Sequence, residues 1–124
     1  MRLLAAATLV ALALAAGTAT ARPPGPAPSR VQVSAKEFFF VLSRTKLRSG
    51  PAIVELANFG EDPHDLRLQR IGGTRVYRTP LVQPGAYYDL DVTFVPGKYR
   101  LWCSIANHRE LGMNAVLTVF AAMQ

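Results

Sequence analysis

Along most of the chain, apolar and polar residues alternate with a period of two, the signature of strands that bury one face. Val31-Gln-Val-Ser-Ala35 alternates in this way, and the aromatic, β-prone run Glu37-Phe-Phe-Phe-Val-Leu-Ser43 continues it as a second strand. Ser49-Gly50-Pro51 is a turn, and Ala52 to Ala57 reads as a third strand that ends at Asn58-Phe-Gly-Glu-Asp-Pro63. Leu66 to Ile71 alternates again until Gly72-Gly73 breaks it. Turns at Gln83-Pro84-Gly85 and Val95-Pro96-Gly97 lead into strands over Ala86–Val92 and Lys98–Cys103, and Asn114–Phe120 closes the series. The stretch Arg75–Val82 fits either a short helical turn or an edge strand. Seven to eight short strands punctuated by Gly and Pro predict an all-β sandwich.

The N-terminus departs from this pattern. A positive start, Met1-Arg2, precedes an unbroken apolar run from Leu3 to Ala16, and Ala19-Thr20-Ala21 is a small-x-small cleavage signal. Residues 1–21 read as a secretory signal peptide. The apolar run is shorter than the roughly 20 residues a membrane span needs, which weighs against a retained anchor. No cysteine follows it to take a lipid. Residues 22–29 form a proline-rich tether, residues 30–120 one folded domain, and residues 121–124, with Met123, a loose tail. The expected location is therefore outside the cytoplasm, periplasmic or extracellular, with membrane contact only through an uncleaved signal. About 100 residues suffice for a single small core, and a monomer is expected. The formal net charge is +6. In an exported protein such a balance does not point to nucleic acid. It suits acidic redox proteins or anionic surfaces met by electrostatic steering, or simple solubility. The cluster Arg67, Arg70, Arg75 and Arg78 reads either as a solvated face or as a docking patch.

Cys103 is the only cysteine, so no disulfide forms within the chain. It opens the run Cys103-Ser-Ile-Ala-Asn-His108-Arg-Glu-Leu-Gly-Met113, and the only other histidine, His64, lies upstream behind Pro63. Two imidazoles, a thiolate and a weak thioether are the donor set of a mononuclear blue copper site. Strand alternation puts Tyr99, Leu101 and Cys103 on one face and Trp102 on the other. Four residues separate Cys103 from His108, and four more separate His108 from Met113, so one loop can fold both side chains toward the sulfur. Gly112 gives that loop backbone freedom. Pro63 stiffens the approach to His64. Thiolate and thioether favour Cu(I), and imidazole also suits Cu(II). Each residue alone has an ordinary reading: a small buried hydrophobe, a core or surface histidine, a packed methionine. Together they converge on one pattern. Zinc also accepts a Cys-His-His set with tetrahedral preference, and the thioether in fourth place argues for copper. A Cys–His nucleophile–base pair is the enzymatic alternative. Both histidines are consumed by one metal site, however, and a copper oxidase needs more of them.

From Val31 to Val119 the chain resembles the cupredoxins, the blue (type 1) copper proteins. Asn58-Phe-Gly-Glu-Asp-Pro-His64, Val95-Pro-Gly-Lys-Tyr-Arg-Leu-Trp-Cys103 and the Cys103–Met113 run carry the likeness. The gap before His108 is similar to that of rusticyanin-type members, and longer than plastocyanin's. The resemblance implies a Greek-key β-sandwich with one copper ion at one end, His64, Cys103 and His108 as equatorial ligands, and Met113 as the axial one. It implies an electron carrier cycling between Cu(I) and Cu(II), with no separate catalytic site. A copper module for storage, delivery or sensing is the alternative. It also implies an apolar patch around His108, for which Ile105, Ala106, Leu111 and Pro63 are available, and a second route at Trp102. Two positions differ from the family pattern. Asp65 stands where Asn commonly follows the first histidine ligand. The resemblance leaves its backbone N–H to donate to the sulfur, and its carboxylate is expected to favour Cu(II). Ala106-Asn107 stands where Pro-Gly is usual before the second histidine.

Overall fold

The computed structural model describes residues 17–123, which form nine strands and one short helix. The strands are β1 (Ser29–Lys36), β2 (Phe39–Leu42), β3 (Lys46–Arg48), β4 (Gly50–Asn58), β5 (Arg67–Arg70), β6 (Val76–Arg78), β7 (Tyr87–Phe94), β8 (Gly97–Trp102) and β9 (Asn114–Phe120). The helix, α1, spans His108–Leu111. One sheet has the order β2-β1-β4-β7 and the other β3-β9-β8-β5-β6. Most neighbours are antiparallel, and β1 with β4 and β3 with β9 are parallel. The chain changes sheet repeatedly, as the crossing connections of a Greek-key sandwich require.

The period-two pattern accounts for the core. Val31, Val33 and Ala35 of β1 and Val54 and Leu56 of β4 point inward from the first sheet. Leu68, Tyr99, Leu101, Leu117 and Val119 answer them from the second. The Phe94 and Tyr99 rings meet edge to face across the sandwich with centroids 4.7 Å apart, a favoured aromatic geometry.

Every strand read from alternation is present, and two regions differ from expectation. The three-residue β3 has one apolar side chain between two charged ones, too short to show a period. It exists because it pairs with β9. The ambiguous stretch Arg75–Val82 resolves to the edge strand β6, followed by an isolated bridge between Val82 and His64. Most of the expected signal sequence, residues 1–16, lies outside the described residues. Residues 17–28 have neither strand nor helix, and Arg48 Nη2 donates to the Ala27 carbonyl at 3.0 Å. No described helix is long and apolar enough to cross a membrane.

Candidate metal centre

Four predicted residues come from three segments at one end of the sandwich. His64 lies in the β4–β5 loop, Cys103 directly after β8, and His108 and Met113 in the segment that leads to β9. All four are buried. His64 and His108 turn their Nδ1 atoms toward each other at 3.2 Å. Cys103 Sγ lies 3.7 Å from His108 Nδ1 and 4.0 Å from His64 Nδ1. The circle through these three atoms has a radius of ~2.1 Å, which matches metal bonds of about 2.0–2.1 Å to imidazole nitrogen and about 2.3 Å to thiolate. One ion could therefore reach all three donors, and imidazole with thiolate is a donor set that suits copper or zinc. Among the described residues this is the one such cluster of His, Cys, Asp and Glu.

The local sequence holds each donor. His64 is clamped on both sides of its backbone: its N–H donates to the Val82 carbonyl at 3.1 Å and its carbonyl accepts from Val82 N–H at 2.8 Å. Asn58, at the end of β4, braces the intervening loop from inside. Its Nδ2 donates to the carbonyls of Asp62 at 2.8 Å and Val82 at 2.9 Å, and its Oδ1 accepts from Gly60 N–H at 2.9 Å. His64 Nε2 lies 2.9 Å from Glu37 Oε1. The carboxylate only accepts, so Nε2 carries the proton and Nδ1 presents its lone pair to the centre. Glu37 also accepts from the backbone N–H groups of Glu61 at 2.9 Å and Asp62 at 2.8 Å. The Asp62 N–H chiefly, with His64 and Glu61 adding to it, brings the Glu37 carboxyl down to about 2. A side chain at Gly60 would collide with that carboxylate.

Around Cys103 the backbone closes a tight circuit. Cys103 N–H donates to the Met113 carbonyl at 3.1 Å, and Met113 N–H donates to the His108 carbonyl at 3.0 Å. Burial pushes the Cys103 thiol up, against the pull of hydrogen bonds from the backbone of Asp65 and Ile105. The Asp65 carboxylate accepts from Ser104 N–H at 2.6 Å and from the Ser104 hydroxyl, and pairs with Arg67 at 3.2 Å. That side chain ties the residue after His64 to the residue after Cys103, and Arg67 offsets its charge. Phe38 packs its ring against His108 with centroids 4.8 Å apart. The Phe38 carbonyl sits 2.6 Å from where a Cβ on Gly112 would lie, and Gly112 has φ +133°. The freedom expected of Gly112 is used here. At the Ala106-Asn107 departure, Ala106 takes a left-handed φ of 42°.

Glu37, Asn58 and Phe38 escaped the sequence reading. Glu37 and Phe38 sit in a run that reads only as a strand, and Asn58 as a loop residue. Nothing in their spacing reveals that the fold carries them to His64 and His108.

No family model matches the sequence, and no curated protein does. Solved structures do. An auracyanin from the photosynthetic bacterium Roseiflexus castenholzii is similar with a TM-score of 0.61 and 17% identity, over 77% of this chain and 99% of that one. Auracyanin B aligns with a TM-score of 0.60 and 16% identity, covering 78% and 93%. A purple cupredoxin from Nitrosopumilus maritimus aligns with a TM-score of 0.53 and 17% identity, covering 72% and 98%. Likeness at that level of identity establishes architecture, and this chain has the cupredoxin fold.

Proposed function

We propose that the protein binds one copper ion as a type 1 centre and carries single electrons. The carrying observation is the convergence of His64 Nδ1, Cys103 Sγ and His108 Nδ1, from a loop, a strand end and the start of α1, onto a triangle of bond-length radius. In this reading these three would hold the ion, and the buried Met113 would offer a weak thioether as a fourth donor. Bound copper supplies the one-electron Cu(I)/Cu(II) couple. The protein does the rest. Val82, Asn58 and Glu37 fix the position and tautomer of His64. The Asp65–Ser104 link fixes Cys103 relative to it. Burial excludes water from the donors, and Cys103 must give up its proton when a metal binds. Donors already in place accept either oxidation state with little rearrangement.

Burial also favours a carrier over a copper storage or delivery module. The donors are enclosed, and the described residues contain no Met- or His-rich tract to pass copper on. An export role fits the N-terminal sequence.

The test is to add Cu(II) to the purified metal-free protein and record its visible spectrum and voltammetry. An intense thiolate-to-copper band, lost in Cys103→Ser, together with reversible one-electron waves, is expected. A colourless complex, or a band that survives the substitution, refutes the assignment.

A further inference from the structure

We propose that the outer face of the five-stranded sheet is a docking surface for an acidic protein. Strand alternation places Lys46, Arg48, Arg67, Arg78, Lys98 and Arg100 on that face, while Leu47, Leu68, Tyr99 and Leu101 fill the core behind it. The five strands of this sheet contain no Asp or Glu. The strands of the other sheet carry Glu55, Asp89 and Asp91 against Arg30 and Lys36. Charge is thus segregated between the two faces of the sandwich.

Most of these cations also lack an opposite charge. Of the six, only Arg67 has an ion pair among the described residues, with Asp65. Arg67 and Arg78 stand directly opposite each other in the β5–β6 register, an arrangement that costs stability. Asp65 offsets Arg67 alone, and no carboxylate of the described residues pairs with Arg78, as a partner's would. On β8, Trp102 is the register neighbour of Arg67, and the Arg109 guanidinium lies 4.9 Å from its ring. Trp102 directly precedes Cys103, so the face reaches to one residue from the metal centre.

The residue types select the partner. Four of the six cations are arginines, whose planar forks match carboxylates bidentately, and Arg and Trp are enriched where protein interfaces concentrate their binding energy. Single-stranded nucleic acid would draw on free aromatic faces for stacking. Trp102 is already covered by Arg109, and Phe120 lies at the opposite end of the sheet. That the acidic partner is a redox protein rests on the proposed function; the docking itself does not.

The test uses the purified protein with and without added Cu(II), poly-L-glutamate as the probe, and the fluorescence of Trp102, the only tryptophan, as the signal. Salt-sensitive binding is expected. Arg78→Glu with Arg100→Glu should weaken it at least tenfold. Arg30→Glu with Lys36→Glu, an equal change of net charge on the other sheet, should weaken it less than twofold. Amide shifts induced in the unsubstituted protein should map to β5, β6 and β8, a readout that needs no variant to fold. Equal loss in both double variants, or shifts confined to the other sheet, would overturn the proposal. So would retention on phosphatidylcholine–phosphatidylserine vesicles or on a single-stranded oligonucleotide that poly-L-glutamate fails to displace. A protein that binds poly-L-glutamate at this face yet gives no thiolate–copper band would sink the metal assignment and leave the docking face standing. The converse result would do the opposite.

Discussion

Replacing Asn58 by Ala separates the bracing of the His64 loop from the general stability of the sandwich. The buried Asn58 amide makes three hydrogen bonds of 2.8–2.9 Å, to Asp62, Val82 and Gly60. A hydrogen bond contributes about 1 kcal/mol net, and a buried group left unpaired costs about 1–3 kcal/mol. The upper range does not apply to all three partners. The Val82 carbonyl keeps the His64 N–H, and the groups of Asp62 and Gly60 lie where burial is partial, so water can replace the amide. The expected loss is therefore about 2–3 kcal/mol, read by urea unfolding of the metal-free protein. The loosened segment includes His64, so copper affinity, measured by competition with a chelator, should fall about tenfold, or ~1.4 kcal/mol. Val92→Ala is the control. Val92 is buried opposite Ala52, about 20 Å down β4 from Asn58, and its truncation costs about 2 kcal/mol. It should lower stability comparably and leave copper affinity unchanged. If the two variants lose affinity equally, or if neither does, the bracing argument is wrong.

Glu37→Gln keeps an acceptor for His64 Nε2 and removes the negative charge, so the reduction potential of the copper-loaded protein should rise in voltammetry. Because the Glu37 carboxyl is held at about 2 against an ordinary 4.5, its contribution to stability is complete above pH 4.5 and is lost as pH falls toward 2. Urea midpoints of the metal-free protein should therefore show a smaller acid-dependent decline in the Gln variant than in the parent. Gly112→Ala must place a Cβ 2.6 Å from the Phe38 carbonyl at φ +133° and should cost about 2–3 kcal/mol in thermal unfolding. Ala106→Gly relieves a left-handed φ of 42° and, after the entropy cost of glycine, should stabilise the protein by about 0.5 kcal/mol; a destabilised variant would contradict that reading of the loop.

Much of this molecule was legible because half-buried strands write a period of two into the sequence. Val31, Val33 and Ala35 announce β1, and Tyr99, Leu101 and Cys103 announce both the core face of β8 and the direction of the thiol. The cluster of His64, Cys103 and His108 was legible for a different reason: the chain has one thiol and two imidazoles, and all three meet. What stayed hidden was long-range placement. Glu37 meets His64 across 27 positions, and Asn58 reaches Val82 across 24, so only the folded chain reveals that they act on one loop. β3 was hidden because three residues carry no period. The charge of the second sheet was half visible. Arg67 and Arg78 of the arginine cluster stood out in β5 and β6, but Lys46, Arg48, Lys98 and Arg100 join them only through the strand order β3-β9-β8-β5-β6.

Asp65 connects these parts. Read from sequence, its carboxylate is a negative charge beside a metal. In the folded chain it accepts both donors of Ser104 and pairs with Arg67, so it works first as a strut. His64 precedes it and Cys103 precedes Ser104, so one side chain sets the distance between a donor from the β4–β5 loop and a donor at the end of β8. Glu37 performs the matching task from the corner between β1 and β2. The two carboxylates hold the imidazole and the thiol in register through contacts that require no ion. Under the proposed function, such a site would keep its donors in place in either oxidation state, the condition for low reorganisation in a one-electron carrier. It also places Arg67, the partner of Asp65, on the basic face, so the strut that positions the donors ends at the surface where an acidic protein would dock.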